Sequence, residues 1–427
     1  MIEKRIWGTI ISDYLEWEVS LVEREREYEL PKVSRALAVI GPRRAGKTYF
    51  IFQMIHDILK KGIEKERTLY VNFEDPRLVG AELNDLMTML EVYYSMFPEN
   101  AKRVCYFFLD EVQNVEGWER FVRFLLDKGH KVIISGSSAR LLSKEIATEL
   151  RGRSIKLMMY PFSFKELLKA NGIDVKQFYS TYENAKINQL LQDYLFWGGY
   201  PEVVLNPSLR REILREIIDS TIYRDIVERW HVMNLKALRL LFKMLVFSSH
   251  LTISKAYKNM RSLGISVGKE TLANYLSYLE DSLVFYPLYP AVKSYKLREM
   301  LGFKPYIVDN GLASVLGLED REMLFENLVF FELLKRGAEP NENLFYYVTR
   351  DKGEVDFLLS NEKLIQVSYE LNEKNKEREI KALVKASNEL GIGDLTVITW
   401  RQKGKMQIKG RTVKIVPIRE WLLGQSI

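Results

Sequence analysis

Residues 35–59 read RALAVIGPRRAGKTYFIFQMIHDIL. An apolar strand over 35–40 runs into Gly41-Pro42-Arg43-Arg44-Ala45-Gly46-Lys47-Thr48-Tyr49, and an amphipathic helix follows. The loop has the spacing GxxxxGK[ST] between strand and helix, the context in which that spacing cradles phosphates. Its glycines let backbone N–H groups wrap a β-phosphate, and the helix N-terminus adds its dipole. On this reading Lys47 reaches the β- and γ-phosphates, the Thr48 hydroxyl ligates Mg²⁺, and Gly41 through Tyr49 enclose the nucleotide. ATP and Mg²⁺ are the expected cofactors.

Further strands follow at the rhythm of βα units. TLYVNFED (68–75) comes after the loop's helix, RVCYFFLDE (103–111) next, then KVIISGSS (131–138) and SIKLMMY (154–160). Five such segments predict a mainly parallel sheet. Asp110 and Glu111 close the third strand, at the edge where open α/β sheets bind ligands. Asp110 is the expected Mg²⁺ holder, and Glu111 the residue that polarises the attacking water. Beyond residue 175 the sheet pattern stops, and 176–230 read as helices turning at FWGGYPEVV (196–204).

At this point the chain resembles the AAA+ ATPases. The resemblance implies that Ser137, just past the fourth strand, reads the γ-phosphate, and that Asn72 restrains the catalytic glutamate. It places Arg151 and Arg153 of ATELRGRS where an arginine finger enters a neighbouring subunit, with Arg153 chosen, and makes Arg224 one of several sensor-2 candidates. It also implies a helical lid and a homo-oligomer, a hexamer being one form. The competing readings are strand-end hydrogen bonding for Ser137 and Asn72, and a surface ion pair for Arg153.

Residues 236–249, 254–263 and 269–281 read as three helices. The last carries an inward stripe of Leu272, Tyr275, Leu276 and Leu279. LVFYPLYP (283–290) and KPYIVD (304–309) then read as two strands of a wing, with Lys293, Lys296, Arg298 and Lys304 as its cations. This winged-helix pattern points to DNA, with Lys269, Asn274, Lys293, Lys296 and Arg298 as contacts. Cations dominate over base-reading side chains, so recognition of DNA structure rather than sequence is expected.

The last hundred residues run helix (FENLVFFELLKRG, 325–337), strands (GEVDFLLSNEKLIQVSYE, 353–370, and the one before it), helix, strand. That order resembles the PD-(D/E)xK nucleases. The resemblance assigns Asp356 and Glu326 as carboxylates of a metal site, whereas Gln366 stands for the second acid and Ser368 for the lysine. Glutamine is a poorer Mg²⁺ ligand and serine brings no positive charge, so a degenerate nuclease site is expected. Lys381, on the following helix, is the candidate for a displaced lysine. PFSFKELL, WGGYPE and ENLVFFELL extend the resemblance over nearly the whole chain, to a widespread archaeal and bacterial group of AAA+-like ATPases.

Composition agrees with a folded protein. The 427 residues are 47% hydrophobic and 28% charged with net charge +6, enough for several domains. One cysteine excludes an internal disulfide, four scattered histidines offer no zinc cluster, and no apolar run reaches the roughly 18 residues of a membrane span. MIEKRIWGTI lacks a signal peptide's apolar core, so a cytoplasmic location and no membrane contact are expected.

The fold class expected is α/β: an AAA+-like P-loop parallel sheet with a helical lid, then a winged helix, then an α+β restriction-endonuclease-like domain. The expected bounds are a helical segment at 1–30, the ATPase core at 31–175, the lid at 176–235, the winged helix at 236–310 and the nuclease-like domain at 311–427. The expected function is Mg²⁺-dependent ATP hydrolysis coupled to DNA binding or remodelling. An ATP-dependent nuclease and a nucleotide switch acting on protein partners are the alternatives.

Overall fold

The computed structural model describes residues 2–136, 150, 152–292, 294–373 and 375–424. It divides into two units between Tyr160 and Pro161. Ser137, Arg151 and Lys293 lie outside the described residues.

The first unit is built on five parallel strands: β1 (Ala36–Ile40), β2 (Thr68–Asn72), β3 (Tyr106–Asp110), β4 (Lys131–Gly136) and β5 (Ser154–Met158). Their order is β2-β3-β4-β1-β5. All-apolar β1 is buried at every position because it is an inner strand with both faces covered. On one face lies the helix Lys47–Lys60, whose Phe50, Ile51, Met54 and Ile58 enter a core with Leu37, Val39, Phe108 and Ile133. The residues read as a separate segment, 1–30, belong to this unit. Helix Lys4–Glu16 buries Trp7, Ile10, Ile11 and Tyr14, the i, i+3, i+4, i+7 stripe of one helical face. That stripe packs on β2 and on helix Leu83–Met96.

The second unit begins with helices. Phe164–Ala170, read with the ATPase core, packs on Thr181–Trp197 and on Ile418–Leu423 within this unit. Helix Thr181–Trp197 stops at Gly198, whose φ of 71° and ψ of −159° suit glycine alone. A Cβ there would fall 1.7 Å from Asp309 Oδ1, and one on Gly199 would fall 2.3 Å from the Phe162 carbonyl oxygen. Asp309 also accepts from the Gly199 and Gly311 N–H groups at 2.7 and 2.8 Å. Gly199 therefore admits the Phe162 carbonyl, and Gly198 a buried carboxylate. Burial pushes its pKa up to about 6.

Helices Leu235–Val246, Ile253–Ser262 and Lys269–Asp281 pack on one another. The expected inward stripe of the third is buried: Leu272, Tyr275, Leu276 and Leu279. Strands β6 (Phe285–Leu288) and β7 (Lys304–Ile307) then pair antiparallel. They are not an exposed cationic hairpin, which corrects the placing of Lys304 among the wing cations. A helix, Tyr295–Leu301, stands between them, and Tyr306 stacks on Phe330 at 3.9 Å while Tyr286 meets Phe331 edge-on. With aromatic rings closing over the pair, Lys304 is only 3% exposed.

Helix Arg321–Lys335 leads into a mixed sheet of β8 (Leu344–Val348), β9 (Glu354–Leu359), β10 (Lys363–Val367), β11 (Asp394–Thr399), β12 (Gly404–Ile408) and β13 (Arg411–Pro417). The order is β12-β13-β11-β10-β9-β8. Strands β10, β11 and β13 run parallel, and the outer pairings are antiparallel. Helix Lys376–Leu390 makes the crossover between parallel β10 and β11 and buries Leu383 against Val355, Leu364 and Val397. No helix among the described residues is long and apolar enough to cross a membrane.

Candidate nucleotide-binding site

β1 ends at Ile40 and helix Lys47–Lys60 begins seven residues later, so the loop between them must turn tightly. Gly41 makes room: a Cβ there would lie 2.1 Å from the Met159 carbonyl oxygen of the neighbouring strand's end. Arg44 and Gly46 take positive φ, 62° and 92°. The helix opens without a side-chain cap, which leaves its N-terminal N–H groups and its dipole facing the loop. Lys47 is 5% exposed and donates to the carbonyls of Gly41 and Pro42 at 3.2 and 3.1 Å. Tyr49 is 56% exposed. Arg43 pairs with Glu74 at 4.0 Å.

Asp110 faces this loop from the end of β3. Its Oδ2 accepts from the Thr48 hydroxyl at 2.7 Å and the Tyr70 hydroxyl at 3.0 Å, while Ser135 donates to Oδ1. It is fully buried. Burial, aided by Glu111, raises its pKa above the ordinary carboxyl value, although the three hydroxyl donors oppose the shift. A hydroxyl and a carboxylate in contact form a hard-oxygen pair of the kind that holds Mg²⁺ together with substrate phosphates.

Glu111 follows in the left-handed region, with φ 52°. Such a conformation in a non-glycine residue is costly and concentrates at functional sites. Its N–H donates to Ser135 Oγ at 3.2 Å, and Gln113 Nε2 donates to its Oε2 at 2.5 Å. Asn72 sits beside Asp110 in the β2–β3 register, and its Oδ1 accepts from the Glu74 N–H at 2.9 Å. Arg153 makes an exposed ion pair with Asp127 at 2.5 Å. Arg224 is exposed in a π-helix, Thr221–Glu228.

Arg24 was missed. It lies in the charge run EREREYE (23–29), which reads as solvated, yet it is only 8% exposed. Its guanidinium donates to the Ala45 carbonyl inside the loop at 2.8 Å and to the Tyr160 carbonyl at 2.6 Å. Its own N–H and C=O bind the Gln53 side chain on the loop's helix, at 2.7 and 3.1 Å. Arg24 thus ties the loop, at Ala45, to Tyr160 beyond β5 and to the loop's helix. Arg24→Met is expected to raise KM for ATP about tenfold with a smaller change in kcat, the loss of roughly one charge-assisted hydrogen bond, and Arg24→Lys to recover part of it. Steady-state kinetics on the three proteins checks this.

In the second unit, Lys269 and Asn274 are exposed on helix Lys269–Asp281, and Lys296 is exposed on Tyr295–Leu301. Arg298 lies over the Tyr289 ring at 3.9 Å. Lys269 also lines a cavity of about 610 Å³ with Ser254, Tyr257, Lys258 and Arg261. The cations of helix Ile253–Ser262 were not singled out from sequence.

A larger cleft, about 810 Å³, is lined by Glu322, Glu326, Glu354, Asp356, Gln366, Ser368 and Lys381 among others. The lysine whose ammonium enters the carboxylates is neither at 368 nor at 381. Lys304 Nζ lies 2.9 Å from Glu326 Oε1, 2.9 Å from Glu354 Oε1 and 2.8 Å from Asp356 Oδ1. Burial works to lower its pKa, but Asp356, Glu326, Tyr306 and Glu354 together outweigh burial and raise it. Tyr306 donates to Glu326 Oε1 at 2.6 Å, the Val367 N–H donates to Asp356 Oδ2 at 2.9 Å, and His250 pairs with Glu354 at 3.0 Å. Gln366 Nε2 donates to Glu379 at 2.7 Å. Ser368 Oγ donates to the Glu370 carbonyl at 3.1 Å.

The family described as an AAA domain matches residues 33–168. Two domains of unknown function, DUF8612 and DUF4143, match residues 188–322 and 321–421. An uncharacterized protein of Methanocaldococcus jannaschii is 39% identical over 438 aligned positions, which cover 99% of this chain and 96% of that one. An uncharacterized protein of Haemophilus influenzae is 30% identical, with 90% of this chain and 93% of that one covered. Among solved structures, a Walker-type ATPase of Pyrococcus abyssi aligns over 74% of this chain and 96% of its own, at 13% identity and a TM-score of 0.44.

Proposed function

The chain, an AAA domain followed by two domains of unknown function, belongs to the family of these archaeal and bacterial proteins, and we propose that it is a Mg²⁺-dependent ATPase whose turnover is coupled to DNA. The observation that carries the ATPase reading is the 2.7 Å hydrogen bond between Thr48 and Asp110. It joins the last residue of the phosphate loop to the strand-end acid, so both can hold one hard cation.

Bound Mg²⁺ would neutralise charge on the β- and γ-phosphate oxygens. Lys47, exchanging the Gly41 and Pro42 carbonyls for phosphate oxygens, adds a second positive charge. Water attacks the γ-phosphorus, the bond to the β–γ bridging oxygen breaks, and ADP leaves with that electron pair. Glu111 takes the water's proton. Gln113 and the left-handed backbone fix where its carboxylate points. Arg153 gives up Asp127 and serves a neighbouring subunit's site when chains assemble, which makes turnover rise with assembly.

DNA is the proposed partner because Lys258, Arg261 and Lys269 gather around one cavity on the packed helices, and Lys296 is exposed on helix Tyr295–Leu301. Cations without bidentate base readers favour the phosphate backbone. The test is the ATPase rate with single-stranded, duplex and branched DNA at low salt, with particle size measured in parallel. Stimulation that fades with salt is expected. With about three phosphates neutralised, log K should fall against log salt with a slope of about −3. DNA that neither binds at low salt nor changes the rate removes DNA coupling and leaves a nucleotide switch acting on protein partners.

A further inference from the structure

The order of helix and strands around Asp356 suggests a divalent-metal site, and the residues present do not fit one. Three carboxylates, Glu326, Glu354 and Asp356, converge, but on an ammonium. Lys304 has three N–H donors, and three carboxylate oxygens lie at 2.9, 2.9 and 2.8 Å from its nitrogen. The carboxylates are further committed: Tyr306 donates to the Glu326 oxygen that Lys304 holds, and the second oxygens of Glu354 and Asp356 face His250 and the Val367 N–H. Among the described residues, no group of three or more His, Cys, Asp or Glu side chains is arranged to hold a metal ion.

We infer that Lys304 is the resident cation of this cleft, its ammonium standing where a divalent metal would need to bind. Its single positive charge offsets one of the three carboxylate charges that meet there. Asp356, 7% exposed at its side chain, is held where an unpaired carboxylate is costly, and Lys304, 4% exposed, is the ammonium that pairs with it. Its donors are spent on carboxylates, so it has none left to orient a water on a phosphodiester. β7 is thereby pinned to β9 and to helix Arg321–Lys335, and the cleft is closed to metal-dependent cleavage.

Removing the ammonium should open the site. Gln366 Oε1 is buried and unpartnered and lines the cleft. It is cross-strand from Asp356, the β9–β10 register pairing Ile365 with Phe357. An ion entering after loss of Lys304 would find Asp356, Glu326 and this amide oxygen, a hard-oxygen set.

The experiment is a Mn²⁺ titration of the full chain without nucleotide, with free ion followed by its electron paramagnetic resonance signal. The wild type is expected to take up no ion that Asp356→Asn removes. Lys304→Met, shown folded by circular dichroism, is expected to take up one ion per chain at least tenfold more tightly than the wild type, and Lys304→Met with Asp356→Asn none. Wild-type uptake abolished by Asp356→Asn but kept in Asp110→Asn overturns the assignment, as does a folded Lys304→Met that binds nothing. If Lys304→Met does not fold, the wild-type and Asp356→Asn titrations decide the question on their own.

Discussion

Glu111→Gln is expected to bind ATP as the wild type does and to lose turnover by a factor of about 10² to 10⁴, the range that a positioned general base contributes. The substitution preserves size and the capacity to accept from Gln113. It removes the proton acceptor and, with it, the negative charge beside Asp110. The left-handed backbone at 111 should persist, because the Glu111 N–H still finds Ser135 Oγ. Nucleotide affinity, measured by fluorescence or calorimetry with Mg²⁺, and turnover, measured by phosphate release, must therefore separate. Unchanged turnover would remove Glu111 from the role of base. Equal loss of binding and turnover would mean that the carboxylate shapes the nucleotide pocket rather than the chemistry.

The parts of this protein that were legible in sequence are those written in local spacing. The loop from Gly41 to Thr48 sits within eight residues, and the strand ending Asp110-Glu111 announces itself by an apolar run stopping at two acids. Their meeting at 2.7 Å follows from parallel strands that end at one sheet edge. Lys304 was not legible, because it lies 22 and 52 residues from the carboxylates it serves. One signal was available. Lys304 and Tyr306 share a face of a strand by the period of two, and both turn to Glu326. A lysine aligned with a buried tyrosine in KPYIVD argues for an interior face, not a solvated wing. Arg24 left less trace: charge alternation over 23–27 looks the same whether one arginine is buried or none is. Asn72 shows the converse limit, since its oxygen is taken by the Glu74 N–H as an ordinary strand end would use it.

Asp110→Asn separates metal binding from folding, and the sign of its pKa shift makes the separation testable. Burial raises the Asp110 pKa above its ordinary value of 3.8. A carboxyl whose folded pKa is raised contributes stability that is fully present below its unfolded value and lost as pH rises through the folded one. At neutral pH the ionised form is therefore a cost to the fold, and a neutral amide removes it. The Thr48, Tyr70 and Ser135 hydroxyls can each rotate to accept from the new Nδ2 or donate to Oδ1. The variant is thus expected to melt no lower than the wild type at pH 7. Turnover should nevertheless fall by at least about 10², because a neutral amide is a weaker partner for Mg²⁺ next to Thr48. Excess Mg²⁺ should restore part of that loss, which it cannot do for Glu111→Gln. In the wild type kcat/KM should decline as pH falls through the Asp110 pKa, and that acid limb should be missing in the variant. A variant that melts well below the wild type would show that Asp110 is there to hold the strand end together. One that keeps full turnover would place the Mg²⁺-holding carboxylate elsewhere.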